Sequence, residues 1–415
     1  MTRSAAGRAA SEVPQAGTRR ILLAVGVVLV AANLRPAISA VGPLLSDIRL
    51  DLGLSRTAAA LLTATPVVCF GLLAPLGPRL ADRFGLERVL GAVLGGIVLG
   101  SLIRVGPSSV TLFSGTIVLG GAIALANVLL PALIKRDFPD RAGLLTGAYV
   151  TALTVAASAA AGLTVPIADA LGFGWRGGLA IWIVPVLIGL VVWLPQLPFR
   201  TRPLAADVAH SIGRLRHDPI AWQLTLFFGI QSLIFYSVIS WLPSIYQTHG
   251  LTPSQSGYLL GIATLVGAPA ALIMPTLATR SRDQRPHVLV VCLFTAAGLA
   301  GILLAPAALP LLWVVLLGFG LGGSFPLTLT LLVLRTRTST DTARLSGMVQ
   351  SIGYLIAASG PIAVGALFDL TGEWTAPVAL LLLLVVPQTL FGLGASRRRF
   401  VMTAREAAES PGALA

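Results

Sequence analysis

The first candidate for chemistry is Arg35, which lies deep inside the first long apolar stretch of the sequence, within AANLRPAIS (31–39). At a helical rise of about 1.5 Å per residue, Arg35 lies roughly 22 Å from Arg20, which is past the midplane and too deep for its side chain to reach the inner membrane interface. A charge held inside a membrane is costly and therefore indicates a function. Its guanidinium offers five donors in a planar fork, so this position predicts a site for a small planar anion.

Two neighbours of Arg35 bear on the same predicted site. Pro36 lacks a backbone donor, so we expect the helix to loosen within a turn of it and to free carbonyl groups. Asn33 is a second predicted substrate contact, although a separation of two residues turns it toward a different face. An alternative stays open, in which Arg35 is structural and bonds helix-end carbonyls or pairs with Asp47 or Asp169.

A second group of polar and aromatic residues lies in GIQSLIFYSVISW (229–241). Ser232, Tyr236 and Ser240 recur at every fourth position and so share one helical face. Such a stripe suits the wall of a cavity that binds an uncharged or delocalised solute, or else it serves interhelical hydrogen bonding. We predict Tyr236, Ser232 and Gln231 as substrate contacts.

Other apolar stretches each carry an isolated polar residue. Asn127, Gln350 and Tyr354 are predicted to line the same cavity, and Tyr354 is the best placed because it lies near the middle of its stretch. Tyr149 and Thr328 are weaker candidates of the same kind. Each of them serves equally well in helix packing, and the sequence leaves that alternative open.

Membrane-spanning helices must position these residues. Hydrophobic residues make up 55% of the 415 residues and charged residues only 11%, whereas soluble domains carry about 25% charged residues. A bilayer core about 30 Å thick needs about 20 apolar residues per helix. Twelve such stretches occur, which predicts an all-α membrane protein with spans near 20–46, 57–76, 88–105, 109–134, 143–170, 177–198, 220–247, 255–278, 287–305, 309–334, 343–370 and 375–395.

Basic residues set the predicted topology. With the N-terminus inside, 24 of the 29 Lys and Arg residues fall on the inner side. Only Arg49, Arg56, Arg104 and Arg176 fall outside, and Arg35 alone serves neither side. The bias predicts a multi-pass protein of the inner (plasma) membrane with both termini cytoplasmic. It also accounts for the net charge of +13 without a nucleic-acid partner.

The two halves of the sequence repeat at an offset of about 200 residues. Pro43 matches Pro243, and Asp169 and Gly172 match Asp369 and Gly372. Two six-helix halves around a central site are an architecture of secondary transporters. We therefore predict a disordered cytoplasmic tail at 1–18, a first six-helix half at 19–198 and a cytoplasmic linker at 199–219. A second six-helix half is predicted at 220–396 and a second cytoplasmic tail at 397–415.

The loop after the second span, PRLADRFGLER (78–88), resembles the cytoplasmic motif of the major facilitator superfamily. Asp82, Arg83 and Gly85 match that motif, whereas Pro78 stands where glycine is usual and Glu87 replaces a basic residue. The resemblance implies that Asp82, Arg83 and Gly85 form a conformational latch, in which Asp82 caps a helix or pairs with neighbouring arginines.

A closer resemblance covers most of the chain. The stretches NLRPAISAVGPLL (33–45), LLPALIKRDFPDRAGLLTG (129–147) and GIQSLIFYSVISWLPSIYQTHGLTPSQSG (229–257) are similar to the cyanate/nitroimidazole transporter family within that superfamily. The resemblance implies the major facilitator fold and alternating-access transport of a small solute. The expected solute is a small anion such as cyanate, or a small polar heterocycle.

Three other functions compete with this interpretation. An exporter of hydrophobic drugs would carry a buried acid and a Gly-Pro motif in the fifth span, where Ala160-Ala161 stand instead. A non-transporting sensor would need a signalling extension, and an enzyme would need a convergent nucleophile, base or metal set. We expect no enzyme activity, cofactor or metal. A monomer is expected in the lipid bilayer, while proton coupling and uniport both stay open.

Overall fold

The computed structural model describes residues 20–73, 75–138, 141–198, 218–337, 339–397 and 399–401. The predicted tail at 1–18 and nearly all of the predicted linker and second tail lie outside these residues. The described chain is helical throughout, with short turns between its helices. Twelve of the helical segments in the described ranges are long and apolar enough to cross a membrane, which confirms the all-α prediction.

The twelve spans are numbered here in chain order. The helices of spans 1 to 6 and their connections are 20–32, Pro36–Ser39, Val41–Leu52, Arg56–Leu73, Leu76–Phe84, Leu86–Arg104, Ser109–Asp137, Ala142–Leu171, Gly174–Ala180 and Ile183–Trp193. Those of spans 7 to 12 are Pro219–Thr248, Pro253–Arg280, Arg285–Leu304, Pro310–Leu334, Ser339–Thr371 and Thr375–Ala395.

Span 1, predicted near 20–46 with a loosened helix around Pro36, is interrupted twice. Regular helix stops at Ala32, resumes for one turn at Pro36–Ser39 and continues as Val41–Leu52 after Ala40. Pro36 accounts for the first break because it lacks the N–H that would bond to the carbonyl of Ala32. The sequence therefore locates the break, and the break places Asn33 and Arg35 on non-helical backbone.

Span 7 lies at the centre of the bundle, and 83% of its most apolar window is buried, more than in any other span. It packs closely against span 1, where Gly42 lies directly against the carbonyl of Ile239. Gly257 of span 8 also lies close to the carbonyl of Ala161 in span 5. Glycine permits these approaches because lipid-embedded helices associate through close backbone packing.

The halves are also joined by hydrogen bonds at the end of the bundle opposite residue 20 and residue 401, called the far end here. Ser46 donates to the side-chain oxygen of Gln247 over 2.8 Å. The carboxylate of Asp369 accepts from the backbone N–H and the hydroxyl of Thr57, over 2.9 and 2.7 Å. Asp369 thereby caps the first turn of span 2 from the opposite half.

Two matched features support the predicted division into repeated halves. Gly172 and Gly372 both follow a long helix with positive φ, at 68° and 74°. At the opposite end, called the terminal end here, Arg136 after span 4 bonds to Glu87 at the start of span 3. Arg335 after span 10 likewise joins span 10 to span 9, by donating to the side-chain amide oxygen of Gln284.

Candidate functional site

The break in span 1 is held open by side chains as well as by Pro36. The amide of Asn33 donates to the carbonyl of Val30 rather than to that of Leu29, so the carbonyl of Leu29 loses its helical partner. The side-chain nitrogen of Asn33 takes that place, over 2.8 Å, and also donates to the carbonyl of Pro185 in span 6, over 3.1 Å. The broken segment is therefore anchored to span 6.

Asn33 is consequently turned away from Arg35. Its side chain is 2% exposed and its two donor contacts are backbone carbonyls, which suits a positioning role. Its Oδ1 is buried with no donor among the described residues. A direct contact between Asn33 and a substrate stays a prediction.

Arg35 turns the opposite way, toward span 7 in the other half. Its Nη1 donates to the hydroxyl of Tyr236 over 3.0 Å. The guanidinium carbon also lies 5.9 Å from the centre of the Tyr236 ring and 6.0 Å from that of Phe235. Among the described residues, Arg35 has no carboxylate within ion-pair distance, so pairing with Asp47 or Asp169 is absent there.

The rings near Arg35 form a cluster contributed by four spans. Tyr354 of span 11 lies edge-on to Phe70 of span 2 and to Phe228 of span 7, with centroids 5.5 and 5.2 Å apart. Phe70 also contacts Tyr236, and Phe228 contacts Phe325 of span 10. Edge-to-face contacts of this kind fix each ring against its neighbours, so Arg35 faces a rigid aromatic wall.

Two tyrosine hydroxyls remain for a ligand beside this wall. Tyr149 of span 5 and Tyr354 both lie close enough to Arg35 for an electrostatic interaction. Neither hydroxyl has a hydrogen-bond partner among the described residues. Phenol O–H groups are good donors to an anion, so the surroundings of Arg35 are polar as well as aromatic.

Four other residues predicted to contact the substrate are Ser232, Gln231, Gln350 and Asn127. Ser232 is one turn from Tyr236 on the same face, and it accepts from the side-chain amide of Gln231 over 2.6 Å. Gln350 is half-buried and donates to the hydroxyl of Ser346. Asn127 of span 4 is half-buried, with no hydrogen-bond partner in the described ranges. The structure does not bring these four into contact with Arg35.

The burial of Arg104 changes the predicted assignment of basic residues to the two membrane faces. The sequence assigned it to the outer surface, yet its side chain is 2% exposed, and its Nη1 donates to the carbonyl of Ala37 over 2.7 Å. Arg35 is therefore not the one basic residue that serves neither membrane face. Arg104 holds the short helix after the break, just as Asn33 holds the residues before it.

The predicted latch residues lie at the terminal end. Asp82 is half-buried, and Arg83 is exposed and stacks on Phe84 with 5.2 Å from guanidinium carbon to ring centre. Gly85 has φ 92°, which only glycine adopts readily, and ends the short helix before span 3. The latch role of Asp82, Arg83 and Gly85 stays a prediction.

The stronger ionic contact nearby involves Glu87, the residue that departs from the superfamily motif. Glu87 is 1% exposed and accepts from Arg136 over 2.8 Å. Arg136 also pairs with Asp137 over 2.7 Å, so one guanidinium ties the end of span 4 to the start of span 3.

Sequence reasoning missed Phe70, Phe228 and Phe325. An aromatic residue inside an apolar span gives no polarity signal, and only interhelical packing shows that it borders a polar group. The described residues hold no group of three or more His, Cys, Asp and Glu that could bind a metal ion.

Comparisons with known proteins agree with this architecture. A family model of the Major Facilitator Superfamily matches residues 23–361. The 2-nitroimidazole transporter of Escherichia coli K12 is 41% identical over 385 residues, which is 92% of this chain and 97% of that protein. The cyanate transport protein CynX of the same organism is 33% identical, over 84% of this chain and 90% of that protein.

Solved structures share the fold at much lower identity. A bacterial homologue of the human lysosomal transporter Spinster superposes with a TM-score of 0.74 at 13% identity, over 91% of this chain and 97% of that chain. The chain belongs to the major facilitator superfamily. It is a multi-pass membrane transporter of small solutes rather than an enzyme, and the resemblance inferred from the sequence is confirmed.

Proposed function

We propose that this transporter carries a small planar anion, or a small polar heterocycle, through a central site at Arg35. The observation that carries the proposal is the environment of that guanidinium. It sits on broken backbone, faces aromatic rings and the hydroxyl of Tyr236, and has no carboxylate partner in the described part of the chain. A partly buried cation without an anion of its own attracts one strongly, because the local dielectric is low.

The aromatic wall supports a planar solute in particular. The faces and edges of Phe70, Tyr236 and Tyr354 favour a flat molecule, and the hydroxyl groups can orient its polar atoms. Relatives named for cyanate and for 2-nitroimidazole fit these two properties, since one is a small linear anion and the other a flat heterocycle.

Alternating access is proposed to proceed by rocking of the two six-helix halves about this site. The site lies between spans 1, 2 and 5 of one half and spans 7, 10 and 11 of the other. Asp82, Arg83 and Gly85 would act at the terminal end as a latch. The bias of Lys and Arg supports cytoplasmic termini, and a monomer is expected.

The test is transport of radiolabelled cyanate and 2-nitroimidazole into proteoliposomes that contain the wild type, Arg35→Gln or Arg35→Lys. Losing a charge-assisted contact costs about 2 kcal/mol, so we expect Arg35→Gln to lower kcat/KM for cyanate about 30-fold. Arg35→Lys should recover part of that loss because it restores the charge but not the planar fork.

Arg176→Gln is the matched control, because Arg176 pairs with Asp51 at the far end and lies outside the site. It should transport both compounds at the wild-type rate. Cyanate transport by Arg35→Gln at the wild-type rate would overturn the proposal. Imposing a pH gradient on the same vesicles distinguishes proton coupling from uniport, since only a coupled carrier would accumulate solute against its gradient.

A further inference from the structure

Arg35 and Arg104 are both cations held within the first half, but their surroundings have different origins. Arg104 donates to the carbonyl of Ala37 in span 1, and Gly115 of span 4 packs against its backbone. Arg35 instead contacts Tyr236 in span 7 of the second half. When one half moves against the other, the surroundings of Arg104 therefore stay the same and those of Arg35 change.

The protein supplies no negative charge beside Arg35 in the described part of the chain. The ionisable groups there that lie close enough to interact with its guanidinium are the hydroxyls of Tyr149, Tyr236 and Tyr354. Phenols are uncharged at neutral pH, and the guanidinium keeps its proton. The empty site therefore carries one net positive charge, which lies between the two halves.

This charge has a different cost at different stages of transport. Arg35 is half-buried, so part of its surface stays accessible to water in this structure, whose far end is closed. Passage to a state open at the far end requires an intermediate closed at both ends, since the site would otherwise be open to both sides of the membrane. In that intermediate, an empty site encloses a cation that has lost water and gained no partner, which is unfavourable.

An anion bound to Arg35 lowers this barrier. Its charge cancels that of the guanidinium, and charge-assisted hydrogen bonds replace those that Arg35 made to water. The loaded site is then neutral when it is enclosed. The loaded carrier therefore passes between its two access states more readily than the empty carrier.

We propose that the protein is a one-for-one exchanger of small monovalent anions, in which the empty carrier changes its access state far more slowly than the loaded carrier. This inference rests on the anion form of the function proposed above. Each anion that leaves is replaced by one from the other side, because only a site loaded with a monovalent anion is neutral. A dianion would leave one net negative charge in the enclosed site, so it does not support fast exchange.

The experiment compares uptake of radiolabelled cyanate into two kinds of proteoliposome made with the wild type. One kind contains unlabelled cyanate, and the other contains sulfate, which is a dianion. Valinomycin and equal potassium concentrations on both sides hold the membrane potential at zero, so a build-up of charge cannot limit net uptake. After subtraction of uptake by protein-free liposomes, we expect the initial rate with internal cyanate to be at least tenfold higher than with internal sulfate.

The results that would count against the two proposals differ from each other. Equal uptake with internal cyanate and internal sulfate would overturn the exchange mechanism and leave the proposed function intact. No uptake under either condition would overturn the proposed function and the exchange mechanism together. Exchange should also keep its rate when a potassium gradient imposes a potential of either sign, because the loaded site carries no net charge, and a rate that follows the potential would contradict this.

Arg35→Gln removes the charge from the empty site, so the ratio of the two uptake rates should fall to about one. The measurement uses cyanate concentrations raised to offset the weaker binding. Arg176→Gln is the matched control, since Arg176 pairs with Asp51 outside the site, and it should keep the wild-type ratio. A wild-type ratio in Arg35→Gln would show that the guanidinium does not slow the empty carrier, and it would overturn the proposal.

Discussion

At the scale of single residues, the role of Arg35 depends on the groups that surround it. Its position in an apolar stretch indicates a function, but its chemistry depends on the hydroxyl of Tyr236 and on the rings beside it. The hydrogen bond to Tyr236 orients the guanidinium toward the other half of the protein. The remaining donors of Arg35 are then free to contact a solute that lies between the halves.

Removing the hydroxyl of Tyr236 should therefore loosen Arg35 without removing its charge. One neutral hydrogen bond contributes about 1 kcal/mol, so we expect Tyr236→Phe to raise KM for cyanate about fivefold. Uptake in proteoliposomes at a range of concentrations measures the change. Tyr258→Phe is the control because Tyr258 is 44% exposed, and an equal effect of both substitutions would refute the orienting role.

At the scale of elements, the break in span 1 is what turns Arg35 inward. Pro36 causes the break, while Asn33 and Arg104 hold its two sides against spans 6 and 3. Non-helical backbone at membrane depth is tolerated where it is buried in protein or lines a cavity. Discontinuous helices of this kind carry the binding sites of several transporter folds.

Pro36→Ala should allow the helix to close and should turn Arg35 away from Tyr236. A proline inside a helix costs about 3 kcal/mol, so the variant should be at least as heat-stable as the wild type while transporting cyanate about tenfold more slowly. Thermal unfolding and uptake measured on the same preparation test both parts. Pro269→Ala, at an exposed position in the continuous helix of span 8, should leave uptake unchanged.

The bond between Arg136 and Glu87 belongs to the same scale, since it joins spans 3 and 4. Glu87 is 1% exposed, and removal of a partner leaves a buried carboxylate poorly compensated. We expect Arg136→Gln to lower the free energy of unfolding by about 2 kcal/mol, a value reduced because Arg136 is partly exposed. Arg79→Gln, at an exposed position, is the comparison, and equal losses in denaturant unfolding would contradict this account.

At the scale of the whole molecule, the far end is closed by contacts between the halves. Asp369 accepts two hydrogen bonds from Thr57, and Ser46 bonds to Gln247. These contacts must break before the far end can open. Their strength therefore affects the equilibrium between the state that is closed at the far end and the state that is open there. Asp169, the repeat counterpart of Asp369, forms no such bond between halves in the described residues.

Asp369→Ala should shift that equilibrium toward a structure open at the far end. Hydrogen bonds to a charged group contribute about 1.5 kcal/mol or more, so the open population should rise about tenfold. Pulsed electron-spin distances between labels at the exposed positions Leu50 and Leu304, one in each half at the far end, report that population after both native cysteines are replaced by serine. Asp169→Ala should leave the distances unchanged, and identical distributions in all three proteins would refute the gating role.

The sequence by itself determined the twelve spans, the superfamily and the break at Pro36. It also singled out Arg35 and Tyr236 as predicted site residues. Each depends on a local property: the bilayer sets the length of an apolar run, proline lacks a donor, and a buried charge is rare. The motif stretches of the sequence likewise led to the superfamily that the family model matches.

Only the tertiary structure decided which residues meet. It joined Arg35 to Tyr236 across 201 positions of sequence, surrounded them with Phe70 and Phe228, and buried Arg104 where its location near a span end suggested the surface. Such outcomes depend on how helices from different parts of the chain pack, because a side chain finds its partner on a neighbouring helix rather than along its own.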